Sequence, residues 1–490
     1  MPVNTYVVHL TKVYNQSLVQ GIVPDILKVS KITPVDKGGE MTDPSNFRPI
    51  STLHVFAIIF EKIIQKQLLN YVEKYDILYK FQYGFRKGRS TDQAIAEITD
   101  NLKSRIDSNL YTCGVFLDFA KAFDTINHNI LLNKMEKYGI RGLPLKWFTS
   151  YLTNRQQYVS LAGTDSSRQT MICGVPQGSA LGPLLFLIYI NDIANCSEML
   201  SFRIFADDTN IFFSSSDPSH LETVLNQELL KTKEWCDINK LSINLKKTNY
   251  MIIKSPRKKI SDAFTLSLPN IDGSGYTLER KNCIKYLGVL LDDTISWKYH
   301  ISYISSKISR NTGFFLKLRH YLPIKQLSQL YYNLIYPYLS YATIAWGSAY
   351  KTHLKKLQVK QNHVIRIMFF ANLYGENTDK ALPLLNLLDL LTEENIFELR
   401  LLQFSHQWHK KQLPSIFDSY FRYASDVHSY NTRYSAKGNF YKARSKTNMG
   451  KKTLSALGVS HWQNVPKAFK ELSPSCFSKK VKQYLLSKQK

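Results

Sequence analysis

Two adjacent carboxylates, Asp207 and Asp208, lie between the apolar and aromatic residues Phe202, Ile204 and Phe205 on one side and Ile211, Phe212 and Phe213 on the other. The flanks read as two short strands with the acids at the turn between them, where an ordinary tight hairpin carries Asn-Gly or Asp-Gly. Neighbouring carboxylates repel each other unless a cation faces them. A divalent metal answers that need; a solvated acidic turn is the plain alternative. A third carboxylate, Asp118, comes near the end of the apolar run CGVFLDF at 113–119. An unpaired acid inside a buried strand costs on the order of several kcal/mol. Its partner is either Lys121, as a structural ion pair, or a metal shared with Asp207. Gln177 stands in the turn GVPQGSALG, where Gly174, Pro176, Gly178 and Gly182 open an apolar helix and Ser179 can cap it. Its long polar side chain suits contact with a base or a sugar.

These residues need elements to hold them, and the 490-residue chain is long enough for two or three domains. Sixty-four Lys and Arg against 38 Asp and Glu give a net charge of +26 and a pI near 9.6. That excess points to a phosphate-backbone partner. The longest apolar run, about 181–190, contains Gly182 and Pro183 and falls short of the roughly 20 residues a membrane span needs, so a core helix and no membrane association are expected. The six cysteines show no C-x-x-C spacing, which suggests neither zinc nor a disulfide framework. The N-terminus has no signal-peptide pattern, and an intracellular, nuclear or cytoplasmic, location is expected.

In chain order, a helical pattern (Val7, Leu10, Val13, Leu18) precedes a region punctuated by Pro24, Pro34, Pro44 and Pro49, which reads as loop and turn. A helix through Ile58–Val72 leads to FQYGFRKGRST, where Gly84, Arg86, Lys87, Gly88 and Arg89 suit a close approach to phosphate and Ser90 or Thr91 suits an N-cap. The acidic hairpin is followed by an amphipathic helix over about 219–239. The run CIKYLGVLLDD reads as one further strand ending in a second acidic pair, Asp292-Asp293, whose expected role is to cap the helix that follows. From Trp297 to about Phe370 the pattern is helical, and beyond it no clear pattern remains. After Asp426 the only acid is Glu471.

Taken together, NFRPIS, QYGFRKGRST, FLDFAKAFDTINH, GVPQGSALGPLLF, FADDTNIFF, NLKKT and KYLGVLLDD resemble, in order and in register, the successive motifs of reverse transcriptases of jockey-like non-LTR retrotransposons. The resemblance runs from about residue 10 to 370. Looser similarity in HSYNTR and in Gly458, Trp462 and Pro466 suggests the family's C-terminal region.

The resemblance implies an α+β right-hand polymerase: fingers and an antiparallel palm sheet over 1–295, a helical thumb over 296–375, and a helical basic C-terminal region over 376–490. It implies an RNA-directed DNA polymerase working on an RNA template, a DNA primer or nicked target DNA, and dNTPs. Asp118, Asp207 and Asp208 would hold two Mg²⁺ ions, with Mn²⁺ as a substitute, and metals about 3.5–4 Å apart serve both the attacking and the leaving oxygen. Phe123 would be the gate against a 2′-hydroxyl, Gln177 and Gly178 would line the nucleotide pocket, and Lys247 would protonate the departing pyrophosphate. Tyr286, Leu287 and Gly288 would grip the primer, and Arg48, Arg86 and Lys37 would meet the triphosphate. No endonuclease region precedes the fingers, so an N-terminally shortened copy is expected, with the target nick supplied from elsewhere. The rivals are an RNA-templated RNA polymerase and a catalytically inactive nucleic-acid-binding relic.

Overall fold

The computed structural model describes residues 3–38, 40, 42–269, 274–370, 381–427, 430 and 432–489. The expected thumb boundary at 375/376 and parts of HSYNTR at 428–433 lie outside the described residues.

The Pro-punctuated region is a ladder rather than a loop. β1 (Val29–Asp36) pairs antiparallel with β2 (Phe47–Leu53), and Pro34 faces Pro49, so the two missing N–H donors fall on one rung. On its other edge β1 runs parallel to β4 (Gln156–Leu161), to which the two-residue strands β5 (Thr164–Asp165) and β6 (Gln169–Thr170) are added. Beyond β6 the chain is irregular up to Val175.

The central sheet is built on β3 (Tyr111–Leu117). It pairs antiparallel with β8 (Asp208–Ser215) and with β9 (Asn249–Ile253). Outside β8 lies β7 (Ser201–Phe205), and outside β9 the short parallel β12 (Glu279–Arg280). β10 (Ser267–Pro269) and β11 (Gly275–Thr277) form a separate hairpin. The run expected to be one strand at 283–293 folds back on itself as β13 (Cys283–Tyr286) and β14 (Val289–Asp292).

β3 is buried along its whole length, which explains why its sequence is a continuous apolar run rather than an alternating one. Its side chains still alternate between faces. Cys113, Val115 and Leu117 join a core with Phe60, Trp147, Leu187 and Leu225. That core is closed by α1 (Val3–Gln20), α2 (Val55–Lys74), α4 (His128–Lys137), α5 (Gly142–Leu152), α6 (Gly182–Ile190) and α7 (Pro218–Ile238). Phe116 joins the other core with Phe212, Met251, Tyr286 and Trp297. There it meets α3 (Thr91–Asp107), which opens on a Ser90/Gln93 capping box, and α8 (Lys298–Leu318).

The second core continues through α9 (Ile324–Leu334), α10 (Tyr336–Ser340), α11 (Thr343–Trp346) and α12 (Lys351–Met368). It extends into the region where the sequence shows no pattern: α13 (Ala381–Leu387), α14 (Glu393–His409), α15 (Ala424–Val427), α16 (Leu454–Trp462), α17 (Lys467–Lys470) and α18 (Pro474–Lys488). Aromatic contacts fasten this part, with Phe440 stacked on Trp462 at 5.0 Å and Phe421 on Phe440 at 4.7 Å.

One face of α3 carries the joints. Asp92 accepts the N–H of Ala342 at 3.1 Å. Asp100 accepts the N–H of Leu454. The buried Lys103 ammonium donates to Ala345 O, Ser348 Oγ and Lys452 O at 3.0–3.1 Å. Asp107 accepts from Thr447 N–H at 2.7 Å and its hydroxyl at 2.6 Å. Among the described residues no helix is long and apolar enough to cross a membrane.

Candidate active site

The acidic turn is a two-residue connection. Phe205 pairs with Asp208, leaving Ala206 and Asp207 at the tip. Ala206 has φ +57°, a strained conformation for a residue with a β-carbon. What holds it comes from the segment after α2. Ile204 N–H donates to Phe81 O at 3.1 Å and accepts, through its carbonyl, the N–H of Tyr83 at 2.8 Å, so 81–83 extends the central sheet beyond β7. Gln82 Oε1 accepts the N–H groups of Ala206 at 3.1 Å and Gly84 at 2.9 Å. A β-carbon on Gly84 would stand 2.5 Å from Ala206 N. Gly84 thus serves close packing under the turn, not the phosphate approach expected for it.

Asp118 follows β3 directly. Leu117 faces Thr209, so the register puts Asp118 opposite Asp208, one rung further on. Its backbone is clasped by the NLKKT loop: its N–H donates to Thr248 Oγ1 at 3.2 Å, and its carbonyl accepts the N–H of Asn244 at 2.7 Å. Lys247 is exposed on that loop, its own N–H donating to Asn244 O. Burial pushes the Asp207 carboxyl up, with repulsion from Asp118 adding to it and Arg48 opposing it. Burial and repulsion from Asp207 and Asp118 push Asp208 up to about 6. Both acids nevertheless reach solvent. The charge of Lys121 acts on Asp124.

Whether these residues suit a metal follows from the donors. They are hard oxygens at a focus of mutual repulsion, open to solvent, which fits a dication that keeps water and substrate oxygens in its shell. They do not make a closed cage: among the described residues no group of three or more His, Cys, Asp or Glu converges to that extent.

The GVPQG turn is stitched to the loop that follows β3 and Asp118. Val175 N–H donates to Phe123 O at 2.9 Å and Gly174 N–H to Ile126 O at 2.8 Å. Gln177 is no idle polar group: its Nε2 donates to both oxygens of Asp124 at 3.0 and 3.2 Å, and its carbonyl accepts the N–H of Ser51 on β2 at 2.7 Å. Gly178, next in the chain, is exposed. A cavity of ≈ 250 Å³ opens here, walled by Ile32, Pro49, Ser51, Asp124, Val175 and Gln177. Phe123 is half-buried, its ring 4.7 Å from that of Phe186. Sequence reasoning missed Asp124 as the partner of Gln177.

The three basic residues expected at the triphosphate separate. Arg48 is exposed on β2, close enough for its charge to act on Asp207. Lys37, exposed just past β1, acts on Asp124. Arg86 is turned inward: its guanidinium binds both oxygens of Glu73 at 3.0 and 2.9 Å and reaches the carbonyls of Leu78 and Tyr79. This corrects the expectation for Arg86, whose donors are spent on the fold.

Tyr286, Leu287 and Gly288 form the β13–β14 turn. Both central residues have positive φ, +41° for Leu287 and +87° for Gly288, the arrangement of a type I′ hairpin. Tyr286 is buried, its ring 6.3 Å from that of Phe116, so its side chain faces the core and only the hairpin tip is presented. Tyr341 Oη donates to Leu287 O at 2.6 Å. The second acidic pair is structural, as expected: Asp292 accepts N–H groups from Thr294, Ser296 and Trp297 at the entry to α8.

A palm-type sheet with its acids at one hairpin defines a class, and comparison agrees. The family model described as reverse transcriptase (RNA-dependent DNA polymerase) matches residues 35–291, and the chain belongs to that family. Enzymes of this family use divalent metal ions. Within it, the chain is 27% identical over 383 residues to a probable RNA-directed DNA polymerase from transposon X-element of Drosophila melanogaster, covering 76% of this chain and 41% of that protein. It is also 27% identical over 382 residues to the RNA-directed DNA polymerase from mobile element jockey of the same organism, with the same coverage. The chain spans about two-fifths of the length of these curated relatives. A solved structure of telomerase from Candida tropicalis with a fragment of telomeric RNA is similar at TM-score 0.40 and 14% identity, covering 80% of this chain and 67% of that one.

Proposed function

We propose that this chain is an RNA-directed DNA polymerase of a non-LTR retrotransposon, extending a primer 3′ end on an RNA template by nucleotidyl transfer from dNTPs. The observation that carries the reading is that Asp118, Asp207 and Asp208 stand near enough to repel one another at the open hairpin, while Asp124, on the loop that follows Asp118, holds Gln177. The three aspartates would hold divalent ions, a pair of Mg²⁺ or Mn²⁺, which would supply charge stabilisation to the attacking and leaving oxygens. Arg48 and Lys37 meet the triphosphate. Gln177 and Gly178 line the nucleotide, and Phe123, stiffened by Phe186, stands against a 2′-hydroxyl. Lys247 protonates the departing pyrophosphate. The Leu287-Gly288 tip, with Tyr286 rooting it in the core, grips the primer. We assign residues 1–295 to fingers and palm, 296–375 to the thumb and 376–490 to a C-terminal region that shares the thumb's core.

Primer extension on poly(rA)/oligo(dT) with Mg²⁺ and dTTP tests this beside Asp207→Ala. Extension by the parent, with at least a thousandfold loss in the variant and template binding kept within about threefold because the basic surface supplies affinity, is the expected result. Equal extension by both removes the mechanism. Extension by neither, with template still bound, replaces the enzyme by a nucleic-acid-binding relic.

A further inference from the structure

Glu61, in the middle of α2, is a buried acid outside the aspartate hairpin. It is 3% exposed, and none of the ion pairs among the described residues includes it. A buried carboxylate persists where donors answer both of its oxygens. Here they do, from two different elements. Oε1 accepts the Tyr151 hydroxyl of α5 at 2.7 Å. Oε2 accepts the N–H of Ala180 at 2.7 Å and that of Leu181 at 3.4 Å. One turn further along α2, Gln65 Nε2 donates to the Ala180 carbonyl at 2.7 Å. Both backbone groups of Ala180 are thus held by one face of α2. Burial pushes the Glu61 carboxyl up, while Tyr151, the charge of Arg155 and the two backbone donors oppose it.

These contacts supply what α6 lacks. Its N-cap residue, Leu181, makes no side-chain cap, and the first N–H groups of a helix need acceptors. Ser179 Oγ takes the Gly182 N–H at 2.9 Å, and Glu61 takes the two before it. A negative charge is also the one that a helix N-terminus favours. A cap from the turn's own chain satisfies such donors without tying the turn to anything. An acid brought from α2 does both.

Gln177 and Gly178 stand three and two residues before Ala180. On their other side the Gln177 carbonyl accepts the N–H of Ser51, and a β-carbon on Gly178 would stand 2.7 Å from Ser51 O. Ser51 lies on β2, which runs into α2 across His54 alone. One continuous segment, 51–65, therefore grips the turn from both sides, and the same strand carries Arg48. Oε1 of Glu61 fastens α2 to α5; Oε2 fastens α2 to the turn. Wall residues fixed in this way meet a substrate without first having to be ordered.

We propose that Glu61, assisted by Gln65, is a positioning residue of the polymerase, holding the Ala180 and Leu181 backbone so that Gln177 and Gly178 present a fixed wall to the incoming nucleotide. It touches neither substrate nor metal. Its kinetic role rests on the polymerase reading; the hold of α2 on the turn does not.

Steady-state primer extension with dTTP and hydrogen exchange of residues 176–183 test this on the full chain. Losing a contact that serves ground and transition states alike raises KM and spares kcat. Glu61→Leu is expected to raise the KM for dTTP about tenfold and Gln65→Leu about fivefold, with kcat within about threefold in both. Glu61→Gln, whose Oε1 still accepts the Ala180 N–H while its Nε2 donates to Tyr151, is expected to restore the KM to within about twofold of the parent. Amides of 176–183 are expected to exchange about tenfold faster in Glu61→Leu and to keep the parent rate in Arg86→Ala, which loses its stability elsewhere. Should Glu61→Leu not fold, Gln65→Leu, at a half-buried position, carries the same test. A KM that stays put while the parent extends, a KM that rises equally in Arg86→Ala, or a kcat that falls at constant KM overturns the positioning role. Unchanged exchange of 176–183 in both Leu variants overturns the hold itself, whether or not the parent extends. A parent that extends no primer removes the polymerase reading, and exchange alone then decides the hold.

Discussion

Gln82 and Ala206, 124 residues apart, are joined by a hydrogen bond in which the Ala206 N–H donates to Gln82 Oε1 at 3.1 Å. The same oxygen accepts the Gly84 N–H, and Gln82 is 2% exposed, so no water replaces it. Gln82→Leu leaves two buried N–H groups without an acceptor, at about 1–3 kcal/mol each. The expected outcome is a loss of about 2–4 kcal/mol in denaturant unfolding and at least a tenfold drop in nucleotide incorporation, because the turn carrying Asp207 loses its footing. A variant with the parent's midpoint and rate would show that the turn stands without this support.

Arg48 and Arg86 are expected to fail in opposite ways. Arg86→Ala leaves Glu73 without its bidentate partner and should cost about 2–4 kcal/mol of stability, with dNTP affinity in the surviving folded fraction unchanged. Arg48→Ala should leave stability within about 0.5 kcal/mol, as exposed substitutions do, and raise the KM for dNTP about tenfold. Melting curves and steady-state kinetics on both variants decide it; a raised KM in Arg86→Ala alone would reverse the assignment.

Asp124 positions Gln177 rather than touching the reaction. Asp124→Leu frees the carboxamide that it now holds through both oxygens. Loss of a contact made equally in ground and transition states raises KM and spares kcat. We expect KM for dTTP to rise about tenfold with kcat within threefold. A fall in kcat at constant KM would place Asp124 in the chemistry.

Glu393 opens α14, is buried, and has an Oε1 with no partner. Burial and the charge of Glu394 push its carboxyl up to about 8, against an ordinary value of 4.5. The folded chain therefore binds more protons than the unfolded chain between those values, and stability falls as pH rises through that window. Glu393→Gln should melt near the parent at pH 5 and above it at pH 8, by about 1–3 kcal/mol, the cost of an unsatisfied buried group. An equal difference at both pH values would rule out the titration.

The sequence carries the acidic turn, the Asp118 strand, the Ser90 cap and the Asp292 cap because each is a local pattern. It misleads where two physical causes share one local signature. Glycine beside arginine reads as a phosphate loop, yet Gly84 answers to Ala206 and Arg86 to Glu73, and neither partner is near in sequence. Pro34 and Pro49 argue against strands singly; only their pairing on one rung makes the ladder possible. Past residue 380 the 17-residue α14 is buried on most of its faces and the core around it comes from distant aromatics such as Phe440 and Trp462, so no one-sided periodicity announces it.

α3 stands 340 to 354 residues before its partners Thr447, Lys452 and Leu454 in the chain. Domains ordinarily fold as they leave the ribosome, N-terminal parts first. Here the acids of the palm are made long before the segment that gives Asp100 its backbone hydrogen bond and shelters Lys103. A chain released short of residue 454 keeps both charges facing an unfilled seam. A product cut short before Leu454 therefore carries a charged, unpacked face along α3 that a product containing that segment covers.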